Sequence, residues 1–598
     1  MALDFTDRRD FDDADRGFIA TLDPLTIKNE AGRVVWDMET WGFLDDDCPD
    51  TVDPSLWRQA RLTSKHGLYE VTKGIYQVRG FDLSNMTLVE GDTGVIVIDP
   101  LVSAEVAAAA LAFYREHRGD RPVVAVIYTH AHIDHFGGVL GVVDADTTVP
   151  IVAPEHFLEH AVSENVYAGT AMIRRGYYYG APALQRGARG TLGMGLGPGV
   201  STGSVGLLAP TLDITRTGQT EVFDGVRIVF QMTPGTECPA EMNFLFPDFR
   251  ALCLSENATH NLHNILTLRG AQIRDARIWS RYLNESMELF ADQADVSFAS
   301  HHWPTWGKEA IVRYLTEQRD CYLYLHDQTL RLMNLGYVQA EIAEMMVLPP
   351  ALDAAWHIRG YYGSVNHNVK AIYQRYLGWY DGNPAHLWQH PPEAGAARYV
   401  EALGGIEATV AKAREFLDRG DVRFAAELAN HAIFAAPDHQ GARDVQIEAF
   451  EAIGFGAENA TWRNCFLTGA DELRNGVKHT DVSSAGLARA LTITQLFDSV
   501  AIRIVGERAW NDRFSITWRF PDSGEVFHME LSNGVLVHFP TERERQTDLT
   551  VTLTKKQLVA LLGAASVEGV DIVGDATVIQ RLVGLVGSPD PDFAVVTP

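Results

Sequence analysis

VIYTHAHIDHFGG, residues 126–138, packs three histidines and an aspartate into six positions straight after an apolar run. On a regular helix those side chains would fan around the axis, whereas on a loop leaving a strand they converge. Imidazole together with carboxylate is a donor set for zinc and similar first-row metals. Four donors this close exceed what one tetrahedral site needs if it is to keep an open position. Two cations sharing the cluster resolve this, with His130 and His132 on one and Asp134 and His135 on the other. Gly137 and Gly138 let the backbone turn sharply into the next segment.

The flanks fit a layered α/β fold. LYEVTKGIYQVRG (68–80) and NMTLVEGDTGVIVIDP (85–100) read as strands, with EGDTG as a hairpin turn. SAEVAAAALAFYREH (103–117) reads as a helix with Ser103 as its cap, a carboxylate early and basic groups late. RPVVAVIYT (121–129) is a continuous apolar strand, expected to be buried on both faces. Strand, strand, helix, strand implies a sheet with helices outside it. From about 155 to 206 the pattern loosens, through IRRGYYYG (173–180) and the Gly-rich 187–206. A long segment of this kind inside a compact domain reads as an active-site loop or a mobile linker.

The remaining length demands more domains, because 598 residues exceed one core. The first domain is expected over 1–304. Helical spacing over 305–450 marks a second, in which residues 406–437 resemble one tetratricopeptide-type hairpin. Such a hairpin cannot bury its own face, and must pack on the rest of the chain or on a second subunit. Residues 451–473 read as a linker, and 474–598 as a small α+β domain. The net charge of −28, from 78 acidic and 50 basic residues, argues against a nucleic-acid or anionic-membrane surface. No apolar run approaches the ~20 residues of a membrane span. Five scattered cysteines without a CxxC pair imply a reduced or indifferent compartment. The acidic start lacks the basic and apolar parts of a signal peptide. The expected location is cytoplasmic, or periplasmic or secreted if a signal was trimmed.

THAHIDHFGG (129–138) is similar to the signature THxHxDHxGG of the metallo-β-lactamase superfamily, an αββα sandwich with a metal pair at the sheet edge. MTPGTECPAEM, ALCLSENATHNLHN and VSFASHHWP follow in the order in which that superfamily supplies its remaining ligands. Glutamates after the PG turn and after the later strand resemble the alkylsulfatases of the superfamily, which hydrolyse dodecyl sulfate and related esters. The resemblance implies Glu237 on the first metal with His130 and His132. It implies Asp134, His135 and His301 on the second, with Glu256 near or bridging both. Glu241 rivals Glu237, and His302 rivals His301. Asp134, Glu237 and Glu256 carry three negative charges and a bridging hydroxide a fourth. Two divalent cations, zinc first, cancel all four and leave a site able to accept a monoanionic ester.

For the sulfate group, Arg269 offers a bidentate fork, unless it pairs with Asp275 on the surface. Asn264 is expected to donate from its amide, and the segment matching Asn264 to Arg269 lines the sulfate site in the family. His263 is expected to protonate the ester oxygen, to orient the leaving group, or to serve as a cap or core residue. His260 and Arg274 are further candidates. Arg174 or Arg175, with Tyr177 to Tyr179 and Tyr178 at their centre, form an expected lid. Tyr380 and Asn366 are expected at the catalytic mouth. The family further implies a homodimer through the helical block and a C-terminal domain similar to sterol carrier protein 2. The alternatives are a phosphate-ester or lactone hydrolase on the same site, an iron redox enzyme on the same scaffold, and a non-catalytic lipid-binding protein.

Overall fold

The computed structural model describes residues 3–479, 487–564 and 568–598, so 480–486, inside the expected C-terminal domain, lie outside the described residues. The chain forms two compact units. One comprises Met1–Phe157, Ile173–Thr480 and Asp592–Pro598. The other comprises Leu158–Met172 and Asp481–Pro591.

In the first unit, β1 (Phe18–Ala20) is followed by a small hairpin, β2 (Thr26–Lys28) and β3 (Val34–Asp37). Then come β4 (Gly67–Thr72), β5 (Ile75–Arg79), β6 (Met86–Glu90), β7 (Val95–Ile98), β8 (Val123–Ile127), β9 (Ile151–Pro154) and β10 (Leu212–Ile214). These make an eight-stranded sheet in the order β1-β4-β5-β6-β7-β8-β9-β10, antiparallel up to β7 and parallel beyond it. A second sheet runs β11 (Thr220–Phe223), β12 (Val226–Met232), β13 (Met242–Phe246), β14 (Ala251–Cys253), β15 (Val296–Phe298) and β16 (Thr305–Trp306).

The sheets face each other across one apolar core. Ile75, Val89, Ile96, Ile98 and Ile127 come from the first, and Ile228, Phe230, Phe244, Phe246 and Phe298 from the second. β-Branched and aromatic residues dominate both inner faces, as a pleated buried surface favours. Helix Ala104–Arg118 follows β7, and helix Ala276–Phe290 packs on the back of the second sheet against Leu245 and Leu252. The result is an αββα sandwich. Ser103 does not cap its helix; its hydroxyl lies 2.7 Å from the Ser201 hydroxyl instead.

The looser stretch is more ordered than its sequence suggests. It contains helix Gly169–Gly180, and residues 191–198 are buried. Glycine is needed there for close approach: a Cβ on Gly195 would stand 2.5 Å from the Tyr361 carbonyl oxygen, and one on Gly197 2.5 Å from that of Leu83.

The helical block starts at helix Lys308–Met333, whose Ile311, Leu315, Cys321 and Leu325 join the core of helix Ala276–Phe290. The hairpin Ile406–Asp418/Val422–Ala435 buries Ala413, Leu428 and Ala429 against Val445 of helix Gln440–Phe455, so its face is covered within the chain. The expected linker over 451–473 is instead helical, forming the end of Gln440–Phe455 and most of Ala460–Asn475. Several of its polar residues are buried. Arg463, wholly inside, donates to the carbonyls of Gly190, Ala188 and Thr51.

The second unit is a five-stranded sheet of β17 (Phe514–Phe520), β18 (Glu525–Ser532), β19 (Val535–Pro540), β20 (Leu549–Thr552) and β21 (Asp571–Gly574), in the order β19-β18-β17-β20-β21. Helices Ile493–Ala501 and Thr577–Leu585 contribute to its core. It also takes in residues 158–172, which the reading had left in the first domain. Among the described residues no helix is long and apolar enough to cross a membrane.

Candidate metal centre

Four strand ends deliver the site. His130, His132, Asp134 and His135 follow β8, Asp99 follows its parallel neighbour β7, Glu256 follows β14, and His301 follows β15. Glu237 lies in the turn between β12 and β13. Carboxyl ends of parallel strands are where open α/β sheets form binding crevices.

The side chains fall into two donor groups, His130–His132–Glu237–Glu256 and Asp134–His135–Glu256–His301. Within each, one donor atom per residue lies within 4.8 Å of the others. Glu256 Oε2 belongs to both, at 3.3 Å from His130 Nε2 and 3.1 Å from the Nε2 atoms of His135 and His301. Glu237 Oε2 stands 2.9 Å from His132 Nδ1 and 3.3 Å from His130 Nε2. Asp134 Oδ2 is 3.1 Å from His135 Nε2 and 3.6 Å from His301 Nε2.

Hydrogen bonds behind the site decide the protons. His135 Nδ1 donates to Asp99 Oδ2 at 3.0 Å, and His301 Nδ1 donates to the Leu83 carbonyl at 3.0 Å. The Thr129 hydroxyl donates to Asp99 Oδ2 and so accepts from His130 Nδ1, at 2.9 Å. Each Nδ1 therefore carries the hydrogen, and each Nε2 presents a lone pair. These three Nε2 atoms and Glu237 Oε2 are buried without a hydrogen-bond partner. Lone pairs facing carboxylate oxygens repel unless positive charge lies between them, so the donor set fits divalent cations.

The acidities carry the same message. Burial pulls His135 down, yet the Asp134 and Asp99 carboxylates outweigh it and hold the imidazole well above its ordinary value. Against the opposing effect of burial, the Arg274 guanidinium and His132 bring Glu237 down to about 2. Burial pulls Glu256 up, yet His301 and the hydrogen bond from His263 outweigh it and hold the carboxyl well below its ordinary range. Glu241 goes the other way, because burial and the Glu237 charge push it well above its ordinary value. Its Oε1 accepts the Glu256 N–H at 3.1 Å, and its Oε2 lies 2.8 Å from the Thr236 hydroxyl, whose own proton reaches the Thr233 carbonyl at 2.6 Å. Glu241 thus belongs to neither donor group and braces the Glu256 backbone.

Adjacency likewise separates His301 from His302. His302 has φ 64° and turns away, its Nδ1 accepting the His260 N–H at 2.9 Å and its Nε2 donating to the Gly195 carbonyl at 2.9 Å. His260 stacks between Trp303 and Tyr314, away from the donors.

His263 sits directly behind Glu256. Its Nε2–H meets Glu256 Oε1 at 2.8 Å, and its Nδ1 accepts from Arg274 Nη1 at 3.1 Å. Arg274, held above as a secondary candidate, also pairs with Glu237 Oε1 and donates to Asn264 through both its carbonyl and Oδ1. With Oδ1 taken, Nδ2 is the donor end of the Asn264 amide. Arg269 is partly exposed and does not pair with Asp275, whose carboxylate meets Arg375 at 3.1 Å. Burial raises the pKa of the Tyr179 hydroxyl, and among its neighbours Arg269 and Tyr362 act against that rise while Asp134 adds to it. The Tyr362 ring lies 4.9 Å from that of His263.

Arg174 and Tyr178 are not where the expected lid would place them. Arg174 is wholly buried in an ion pair with Glu472 (2.8 Å), and the Tyr178 hydroxyl bonds the same carboxylate. Both fasten helix Gly169–Gly180 to helix Ala460–Asn475 rather than facing substrate, and Tyr179 alone of the tyrosine run reaches the arginine. Tyr380 lies against Trp379, and Asn366 bonds Glu344, neither with a contact to the donor groups. Asp99, Thr129 and Tyr362 are the residues the reading missed. Asp99 had a signal, a carboxylate ending a buried strand that pairs with the histidine strand. Tyr362, more than a hundred residues beyond Glu256, had none.

Comparison with known proteins agrees with this geometry. A metallo-β-lactamase superfamily model matches residues 79–301, an alkyl sulfatase dimerisation model 338–476, and an alkyl sulfatase C-terminal model 481–598. A linear primary-alkylsulfatase from Pseudomonas sp. is 47% identical, over 100% of this chain and 91% of its own length. An (R)-specific secondary-alkylsulfatase from Pseudomonas sp. is 44% identical, over 100% and 92%. The solved structure of the stereoselective inverting sec-alkylsulfatase Pisa1 from Pseudomonas sp. superposes with a TM-score of 0.97 at 43% identity, covering 100% of this chain and 96% of that one.

Proposed function

The chain belongs to the alkylsulfatases of the metallo-β-lactamase superfamily, and from that premise we propose that it hydrolyses linear or secondary alkyl sulfates to alcohol and inorganic sulfate. We assign the two donor groups to two divalent cations, zinc by the match of imidazole and carboxylate donors. The observation that carries this reading is Glu256 Oε2, within 3.3 Å of three imidazole nitrogens drawn from both groups. Bound there, the cations supply Lewis acidity and bring the pKa of a water towards neutrality.

The chain's own residues orient and balance charge. His263 holds Glu256 Oε1, so that Oε2 faces the donors. Arg274 offsets the Glu237 charge and keeps Asn264 turned with its amide donor outward. Arg269, with the Tyr179 and Tyr362 hydroxyls, recognises sulfate oxygens, the guanidinium fork matching them in pairs. Glu241 stands outside both donor groups, so Asp134, Glu237 and Glu256 are the three carboxylates of those groups, and two divalent cations leave room for a monoanionic ester. Hydrolysis consumes one water. Its oxygen ends in sulfate if sulfur is attacked and in the alcohol, with inversion of a secondary centre, if carbon is attacked.

We assign a homodimer to the helical block, where Trp379 and Trp388 are 69% and 96% exposed in the single chain. We also assign to the sheet-and-helix C-terminal unit, which we read as sterol-carrier-like, the gathering of amphiphiles.

Sulfate release from dodecyl sulfate and from a secondary alkyl sulfate, with metal analysis before and after chelation, tests the central reading. Turnover with two zinc per chain, abolished by chelation, is expected. Faster turnover of phosphate monoesters or lactones, or chelation without loss, overturns it.

A further inference from the structure

Arg79, at the end of β5, is 5% exposed, and among the described residues no carboxylate lies within ion-pair distance of it. Its guanidinium stacks on the Tyr69 ring, 3.4 Å from the centroid. Stacking satisfies the face of the cation and leaves the N–H edges unused, and Nε and Nη2 have no hydrogen-bond partner. Burial brings the guanidinium down to about 10, which still leaves it charged at neutral pH. A buried cation with open N–H edges is costly unless an anion meets it.

Arg79 lines a cavity of ≈ 20 Å³ that also touches Lys65, Asp82, Leu83, Asn85 and His302. That volume has room for a small body of the size of a water or a single ion. Lys65 and Thr63 are the half-exposed members of the lining, and Lys65 pairs with Asp15 outside it. Asp82 does not supply the missing charge. Its oxygens are taken by the backbone N–H groups of Leu83 (2.9 Å), Ser201 (2.9 Å) and Val102 (3.3 Å) and by the Ser201 hydroxyl (2.6 Å). His302 has both ring nitrogens engaged, Nδ1 accepting the His260 N–H and Nε2 donating to the Gly195 carbonyl.

We propose that this cavity is a binding site for one monatomic monovalent anion, a halide, held by the N–H edge of Arg79. The cavity wall is also the support of the second donor group. The Leu83 carbonyl fixes His301 Nδ1, and Asn85 donates its side-chain amide to the His302 carbonyl at 2.7 Å and its backbone N–H to the Ser300 carbonyl at 2.6 Å. An anion here steadies the loop that carries His301 without touching substrate.

Two measurements on the full-length, metal-loaded protein test this. Crystals soaked in bromide should show an anomalous peak within about 3.5 Å of an Arg79 nitrogen. The melting midpoint should rise saturably with sodium chloride or bromide over sodium gluconate at equal ionic strength, by roughly 2 °C or more. Sodium sulfate should not substitute, and Arg79→Gln should abolish the halide-specific rise. A water alone at Arg79 with no bromide peak overturns the proposal, as does an equal halide rise in Arg79→Gln. Should Arg79→Gln fail to fold, the bromide peak in the unaltered protein decides alone.

Discussion

Asp99→Asn isolates the support of the donor set from the donors themselves. Asp99 Oδ2 accepts from the Thr129 hydroxyl (2.8 Å), His135 Nδ1 (3.0 Å) and the Ser300 hydroxyl (2.7 Å), while Oδ1 accepts the Thr129 N–H at 2.9 Å. Its φ of 54° is in the left-handed region, which asparagine tolerates well, so the substitution adds little backbone strain. The asparagine has two settings. With Nδ2 in the Oδ2 position it opposes the His135 Nδ1–H, forcing the hydrogen to Nε2 and removing that lone pair from the second donor group. With the amide reversed it keeps its oxygen on the three donors but sets Nδ2 against the buried Thr129 N–H. That clash costs about 1–3 kcal/mol. The cheaper setting bounds the effect. At 1.4 kcal/mol per factor of ten, metal affinity at the second group should fall roughly 10- to 100-fold, the usual range for such supports. Dialysis against graded chelator, followed by metal analysis, reads the affinity. Sulfate release from dodecyl sulfate at saturating zinc should recover to within a few-fold of the parent. An affinity within two-fold of the parent would refute the claim that Asp99 fixes the hydrogen on His135.

Arg174→Met should lower stability by about 3–5 kcal/mol, since it leaves Glu472 buried and unpaired, while metal content stays unchanged. Calorimetry with metal analysis checks this, and lost turnover at full stability would restore Arg174 to the site. Burial raises the Asp82 carboxyl to about 6, above its unfolded value, so it binds a proton more tightly folded than unfolded. Its cost is absent below about pH 4 and grows to about 3 kcal/mol by pH 6. The stability of the parent relative to Asp82→Asn should therefore fall as pH rises through that window; a flat difference in denaturant titrations contradicts it. A Trp379→Glu/Trp388→Glu variant should sediment as a monomer where the parent sediments as a dimer; an unchanged dimer places the interface elsewhere.

What the sequence discloses depends on how locally each feature is determined. The cluster at 130–135 is legible because one strand end carries four donors at once, and strand periodicity locates the sheets around it. Single donors on distant strand ends are not legible that way. Glu237 and Glu241 are four residues apart, and the resemblance implies Glu237 with Glu241 as its rival; packing turns Glu237 towards His132 and Glu241 onto the Glu256 backbone. The same holds for His301 and His302, where a left-handed residue reverses the second side chain. Arg174 fails for a related reason. An arginine beside tyrosines reads as an exposed anion site, but Glu472, almost three hundred residues later, makes the pair internal. The supports are hardest of all to see, because Asp99 and Thr129 act by filling the second hydrogen-bonding position of a ligand imidazole. Their function lies in where an imidazole hydrogen goes. Spacing along the chain does not encode it, whereas the β7–β8 pairing sets it directly, by placing a carboxylate beside the histidine strand at the depth of the His135 ring.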